Sequence, residues 1–177
     1  SGALGDPGAQ AHLLVIPLFE TIADLMSRFP RAGRVEWIGV ARARRSEIAA
    51  LAAQAVQDEH LQNLQQALHA MEQDAAAGRA PLEGDRAFHL TLAAACGNAV
   101  LSDTVTQFWD ARKGPLFERL GDYFETPESW RCAIEEHRRI LSALQSGDAE
   151  AARQAMQHHM DQSHERFNAS WPKTQGP

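Results

Sequence analysis

Leu61, Leu64, Leu68 and Met71 recur three and four residues apart, and this spacing constrains the chain more than any other feature. It stacks four side chains on one stripe of an α-helix, whereas a strand would scatter them over both faces. The same period joins Ile134, Leu141 and Leu144, and again Ala152, Ala155 and Met156. Stop and start signals separate the runs. Gly78, Gly97 and Gly147 are helix ends, and Asn98, Asp148 and Thr126-Pro127 are helix starts, with Glu128 at the positive end of the dipole. The reading is helices over about 15–29, 35–56, from Asp58 to Gly78, over 82–96, from Asn98 towards Leu120, over 126–146 and over 149–169. "PRAGR" is a turn between the first two, and Gly114-Pro115 kinks or breaks the fifth.

Composition agrees. Ala, Leu, Glu, Gln and Arg are plentiful, while the β-branched and aromatic residues that strands favour are sparse. The expectation is an all-α fold of six to seven helices. At 177 residues the chain makes one domain. Residues 1–14 read as a linker, 15–170 as the folded domain and 171–177 as a tail. A formal charge of −6 makes the chain by itself a poor partner for nucleic acid, whose binding rests on phosphate neutralisation. No apolar run approaches the roughly 18 to 20 residues of a membrane span. Cys96 and Cys132 lie in expected helices among apolar neighbours, without a CxxC. They read as buried free thiols in a reducing, cytoplasmic setting.

Chemistry should come from polar groups standing where the helical period expects apolar ones. His137 lies three residues after Ile134 and four before Leu141, and His159 lies three after Met156. Asp85 and His89 are one turn apart at the head of an alanine-rich run. His158 is rotated about 100° from His159 and faces outward. His12, His60, His69 and His164 read as surface residues too. Four inward polar groups on three helices are costly unless each is paired. One divalent cation would pair all four. Imidazole nitrogen and carboxylate oxygen suit zinc or nickel first, then manganese or iron(II). An octahedral shell would keep a position or two open for water or a small carboxylate. Read alone, however, Asp85 can equally be a helix cap, and each histidine a hydrogen-bonded core residue. Two other functions stay open on the residues: a helical-bundle metalloenzyme acting on a small carboxylate, and an interaction module stabilised by a metal. Against the enzyme, Asp161-x-x-His164 has no Glu-x-x-His partner of the di-iron type, and no general base stands beside the cluster.

A longer pattern combines these positions. Asp85, Phe88, His89, Leu92, Ala95, Gly97, Asn98 and Leu101 form one block. Glu136-His137, Ile140-Leu141, Ala143-Leu144, Gly147-Asp148, Ala152, Met156 and His159 form a second. Together they resemble the FadR-type C-terminal domain, FCD, of GntR-superfamily transcription regulators, over about residues 17 to 169. The resemblance implies an antiparallel bundle of six to seven helices with a central metal or ligand cavity, a dimerising domain that binds a small organic acid, and it implies no catalysis. It implies a divalent metal on Asp85, His89, His137 and His159, with the acid's carboxylate meeting the metal and an arginine. Arg42, Arg45, Arg112 and Asn98 are the candidate effector-binding residues. It also implies operator DNA as a partner through an N-terminal winged helix-turn-helix, a pattern missing from the first 35 residues of this chain. Where the family's early helix carries an arginine and, four residues on, a glutamate, this chain has Ala41 and Arg45.

Overall fold

Six α-helices and no strand make up the residues that the computed structural model describes, 31–111 and 126–170. They are α1 (Arg31–Ala55), α2 (Asp58–Ala76), α3 (Leu82–Ala95), α4 (Ala99–Ala111), α5 (Pro127–Gln145) and α6 (Ala149–Ser170). The helix expected over 15–29, the Gly114-Pro115 break, the linker and the tail lie outside the described residues. Helix α1 starts at Arg31, so the expected "PRAGR" turn is helical from its second residue. A single glycine among helix formers costs a helix only about 1 kcal/mol, and a proline just ahead of a helix removes no hydrogen bond from it.

Most boundaries follow the caps. Thr126 Oγ1 accepts the Ser129 N–H at 3.1 Å, and the Ser129 hydroxyl oxygen accepts the Thr126 N–H at 3.0 Å, a closed capping box with Pro127 in the first turn. Asn98 Oδ1 accepts the Leu101 N–H at 3.2 Å, and Asp148 Oδ1 accepts the Ala151 N–H at 2.9 Å. The cap of α2 is Gln57, one residue before the expected Asp58, with its N–H donated to His60 Nδ1. Between α5 and α6 the chain turns at Gly147, whose φ of +66° is costly for any residue with a Cβ. The Gly147 N–H meets Leu144 O and the Asp148 N–H meets Ala143 O, which satisfies the last carbonyls of α5.

The apolar stripes meet in one core. Leu64, Met71, Phe88, Leu92, Ile140, Leu144 and Met156 are all but fully buried. Helix α6 packs on α1 and α5, and α3 packs on α2 and α1. At Gly84 the α2–α3 approach is close. A Cβ on Gly84 would lie 2.7 Å from Met71 Cγ and 2.9 Å from both Ala67 O and Met71 N. Cys96 is buried as expected, but Cys132 is exposed. It sits two residues from Ile134, about 200° round α5, which puts it opposite the buried stripe.

Candidate metal centre

Three helices bring four polar side chains to one place. Helix α3 supplies Asp85 and His89, α5 supplies His137 and α6 supplies His159, and all four are buried. The imidazole centroids are 5.1 Å apart for His89–His137, 5.3 Å for His89–His159 and 4.6 Å for His137–His159. One nitrogen from each ring lies within 4.8 Å of the others, so the three histidines could hold a metal ion. Asp85 Oδ1 lies 3.0 Å from His137 Nε2 and 3.5 Å from His89 Nε2.

Hydrogen bonding fixes which nitrogen faces inward. His137 Nδ1 lies 2.6 Å from Ala133 O. A carbonyl only accepts, so Nδ1 carries a proton, and in the neutral ring Nε2 presents a lone pair. Nε2 is buried, has no hydrogen-bond partner, and lies 3.0 Å from Asp85 Oδ1. With the ring neutral, two acceptors at that distance repel, and a proton or a metal cation between them removes the repulsion. His159 Nδ1 lies 2.8 Å from Glu136 Oε2. Glu136 is itself buried and doubly bonded to Arg166, at 2.6 and 2.9 Å.

The charges suit a cation. Burial first, and then repulsion from His137 and His159, push His89 down to about 3 against the opposing pull of Asp85. Burial likewise lowers His159, helped by His137 and opposed by Glu136. Both rings are neutral at neutral pH, the state that metal ligation needs. Burial alone would raise the Asp85 carboxyl, but the imidazoles of His137 and His89 outweigh it and hold Asp85 well below the usual carboxylate range. Glu136 also resists burial and sits at about 2, held there by His159 and Arg166.

The walls are apolar. Phe88 meets His137 edge-on at 4.6 Å, and Trp109 lies against His89 at 5.6 Å. A cavity of about 10 Å³ lies between Arg45, Ile48, His89, Leu92, Val105 and Met156, with room for no more than about one water. Of the candidate effector residues, Arg45 lines this cavity, with Nη1 3.3 Å from Met160 Sδ. Arg42 is instead tied to Asp161 across α1 and α6, at 2.7 Å. Asn98 is exposed and caps α4, and Arg112 lies outside the described residues. His158 and His69 are exposed, and His60 and His164 are partly so. His12 is not among the described residues.

Sequence reasoning assigns no role to Glu136, Trp109 or Arg166, yet a signal exists for each. Glu136 falls three after Ala133 and four before Ile140, on the buried stripe. Trp109 lies four after Val105, and Arg166 lies seven after His159, two turns along the same face.

Similarity to known proteins extends over most of the chain. The FCD domain family model matches residues 45–162. The Uxu operon transcriptional regulator of Escherichia coli is 30% identical over 139 residues, which are 77% of this chain and 54% of that protein. The Uxu operon regulator of Haemophilus influenzae is 29% identical over 143 residues, 80% of this chain and 54% of that protein. The chain thus spans about half the length of the curated relatives it matches. The solved structure of E. coli McbR/YncC is similar in fold, with a TM-score of 0.66, 24% identity, and coverage of 76% of this chain and 64% of that one.

Proposed function

The chain belongs to the FCD domain family, and from that premise we propose that it is the effector-sensing part of a transcription regulator, binding a small organic acid at a divalent metal. Family membership makes it a regulatory domain and not an enzyme. Asp85, His89, His137 and His159 hold the ion, zinc or nickel before manganese or iron. The observation that carries the reading is the buried His137 Nε2, left without a hydrogen-bond partner and 3.0 Å from Asp85 Oδ1. With His137 in the neutral state that metal ligation needs, the pair makes sense around a cation and costs free energy without one.

The ion supplies a Lewis-acidic anchor for the acid's carboxylate. The chain's own residues do the rest. Arg45, on the cavity wall, pairs with the acid, and Arg42, Arg112 and Asn98 are further candidates to contact it. The cavity admits about one water, so an organic acid enters only as α1 and α4 part from α3 and α6. The opening ties ligand to helix arrangement, and a coupling of about 1–3 kcal/mol is the usual scale of such a link. In a homodimer this repacking changes the separation of two N-terminal winged helix-turn-helix units in the intact, cytoplasmic protein. Operator half-sites lie about one helical turn or a multiple apart, so a small change of geometry alters DNA binding.

Elemental analysis of the purified protein tests the ion, with about one equivalent of bound metal per chain expected. Thermal-shift screening of the metal-loaded protein against mono-, di- and tricarboxylates, sugar acids and amino acids tests the effector. An acid that raises the melting temperature supports the sensor. Chelation that lowers it, with no acid raising it, would replace the sensor by a metal-stabilised interaction module, and turnover of an acid would make it an enzyme.

A further inference from the structure

Two histidines of the centre are fixed in the same tautomer by different means. His137 donates Nδ1–H to a neutral backbone carbonyl one turn back, Ala133 O. His159 donates Nδ1–H to a carboxylate on another helix, Glu136 Oε2, at 2.8 Å. A buried carboxylate is an expensive acceptor where a carbonyl would serve, and this one requires a second charge to hold it. Arg166 supplies that charge, its Nη1 on Oε1 at 2.6 Å and its Nη2 on Oε2 at 2.9 Å. Oε2 is therefore shared between the imidazole and the guanidinium.

We propose that Glu136 is a positioning residue for His159, holding its ring as the Nδ1–H tautomer and strengthening Nε2 as a metal donor, and that Arg166 sets how strongly it does so. The inference rests on the metal reading above. An ionised carboxylate behind an imidazole pulls on its proton and enriches the opposite nitrogen, whereas a carbonyl pulls less. The Arg166 guanidinium draws part of that negative charge to itself. The two members of one ion pair then act on the metal in opposite directions, which a merely structural salt bridge does not do.

Glutamine at position 136 offers one acceptor where Arg166 and His159 together need two. In Glu136→Gln the amide oxygen faces Arg166, its NH₂ faces His159, and the ring turns to the Nε2–H tautomer. Long-range ¹H–¹⁵N NMR of the metal-free chain reads this directly, with Nδ1–H expected for His159 in the wild type and Nε2–H in Glu136→Gln. Competition with a chromogenic chelator then reads zinc affinity, with an expected loss of about 10- to 100-fold for Glu136→Gln. Arg166→Gln removes a side chain that is 23% exposed. It should keep Nδ1–H and bind zinc as well as or better than the wild type. If Glu136→Gln does not fold, Glu136→Asp keeps the charge but stands one methylene short of His159, and it should lose affinity while Arg166→Gln does not. A wild-type chain that binds no zinc overturns the metal reading and this inference with it. Zinc binding by wild type that persists undiminished in the Glu136 variants, with Nδ1–H retained, overturns this inference alone. Equal losses in the Glu136 and Arg166 variants, in step with their melting temperatures, also overturn it.

Discussion

Helix α3 shows two different surfaces to its neighbours. Towards α2 it is pressed so close that Gly84 has no space for one methyl group. Towards α1, α4 and α6 it carries His89 and Leu92, and these border a cavity. The tight face fixes where Asp85 and His89 stand, since Gly84 is one residue from Asp85. The open face leaves a space of about one water beside His89. The difference separates two requirements of the proposed sensor. A metal centre needs donors held to a few tenths of an ångström, and a responsive site needs a wall that can move.

Removing a donor breaks the comparison most severely. His89→Ala and His137→Ala are each expected to lower bound metal to background by elemental analysis, while the exposed His158→Ala retains a full complement. Metal retained in His89→Ala would mean that the open face is only a packing defect.

Acid gives the next largest effect. In the folded, metal-free chain His89 sits at about 3, below its ordinary 6.5, and His159 is lowered too. The unfolded chain therefore binds more protons between those values. The stability from keeping these rings neutral is complete above about 6.5 and falls away as pH drops towards 3. Glu136, at about 2, and Asp85 act with the same sign at lower pH. The unfolding free energy of the metal-free protein, read from urea melts, should fall steadily from pH 7 to pH 4, by on the order of a few kcal/mol. A flat profile would contradict the burial of neutral rings.

One added carbon on each side of α3 sharpens the contrast. Gly84→Ala pushes a methyl into backbone atoms of α2. Overpacking costs about 1–3 kcal/mol, of which better helix propensity returns about 1, so urea melts should show a net loss. Val105→Ile adds its carbon at the cavity wall, where filling space is neutral or stabilises by up to about 1 kcal/mol, and it should weaken any acid that thermal-shift screening finds. Equal effects of the two substitutions would erase the distinction between the faces.

The local parts of this arrangement are legible in the sequence. Caps at Asn98, Thr126 and Asp148 and the stop at Gly147 act on neighbours within four residues, and local rules read them. The inward direction of His137 and His159 follows from the same short period, and their burial agrees. What escapes is long-range or rotational. Glu136 gains its meaning from Arg166, on another helix. Arg42 finds Asp161 only once α1 crosses α6. Cys132 reads as buried because its neighbours in sequence are apolar, whereas its neighbours in space are set by its angle round α5. The family blocks join Asp85 and His89 to the two distant histidines, a link that no spacing rule supplies.

The turn at Gly147 has a kinetic consequence. It folds α5 back along α6, so His137, His159, Glu136 and Arg166 all belong to a single helical hairpin joined by a tight link. Contacts close in sequence form fastest, and a short loop costs little entropy to close. This half of the centre is therefore expected to form first, with Asp85 and His89 joining it from a segment far upstream. An ion seated there rivets an early-forming piece to a late-docking one, so loading with metal reports that the whole bundle has closed.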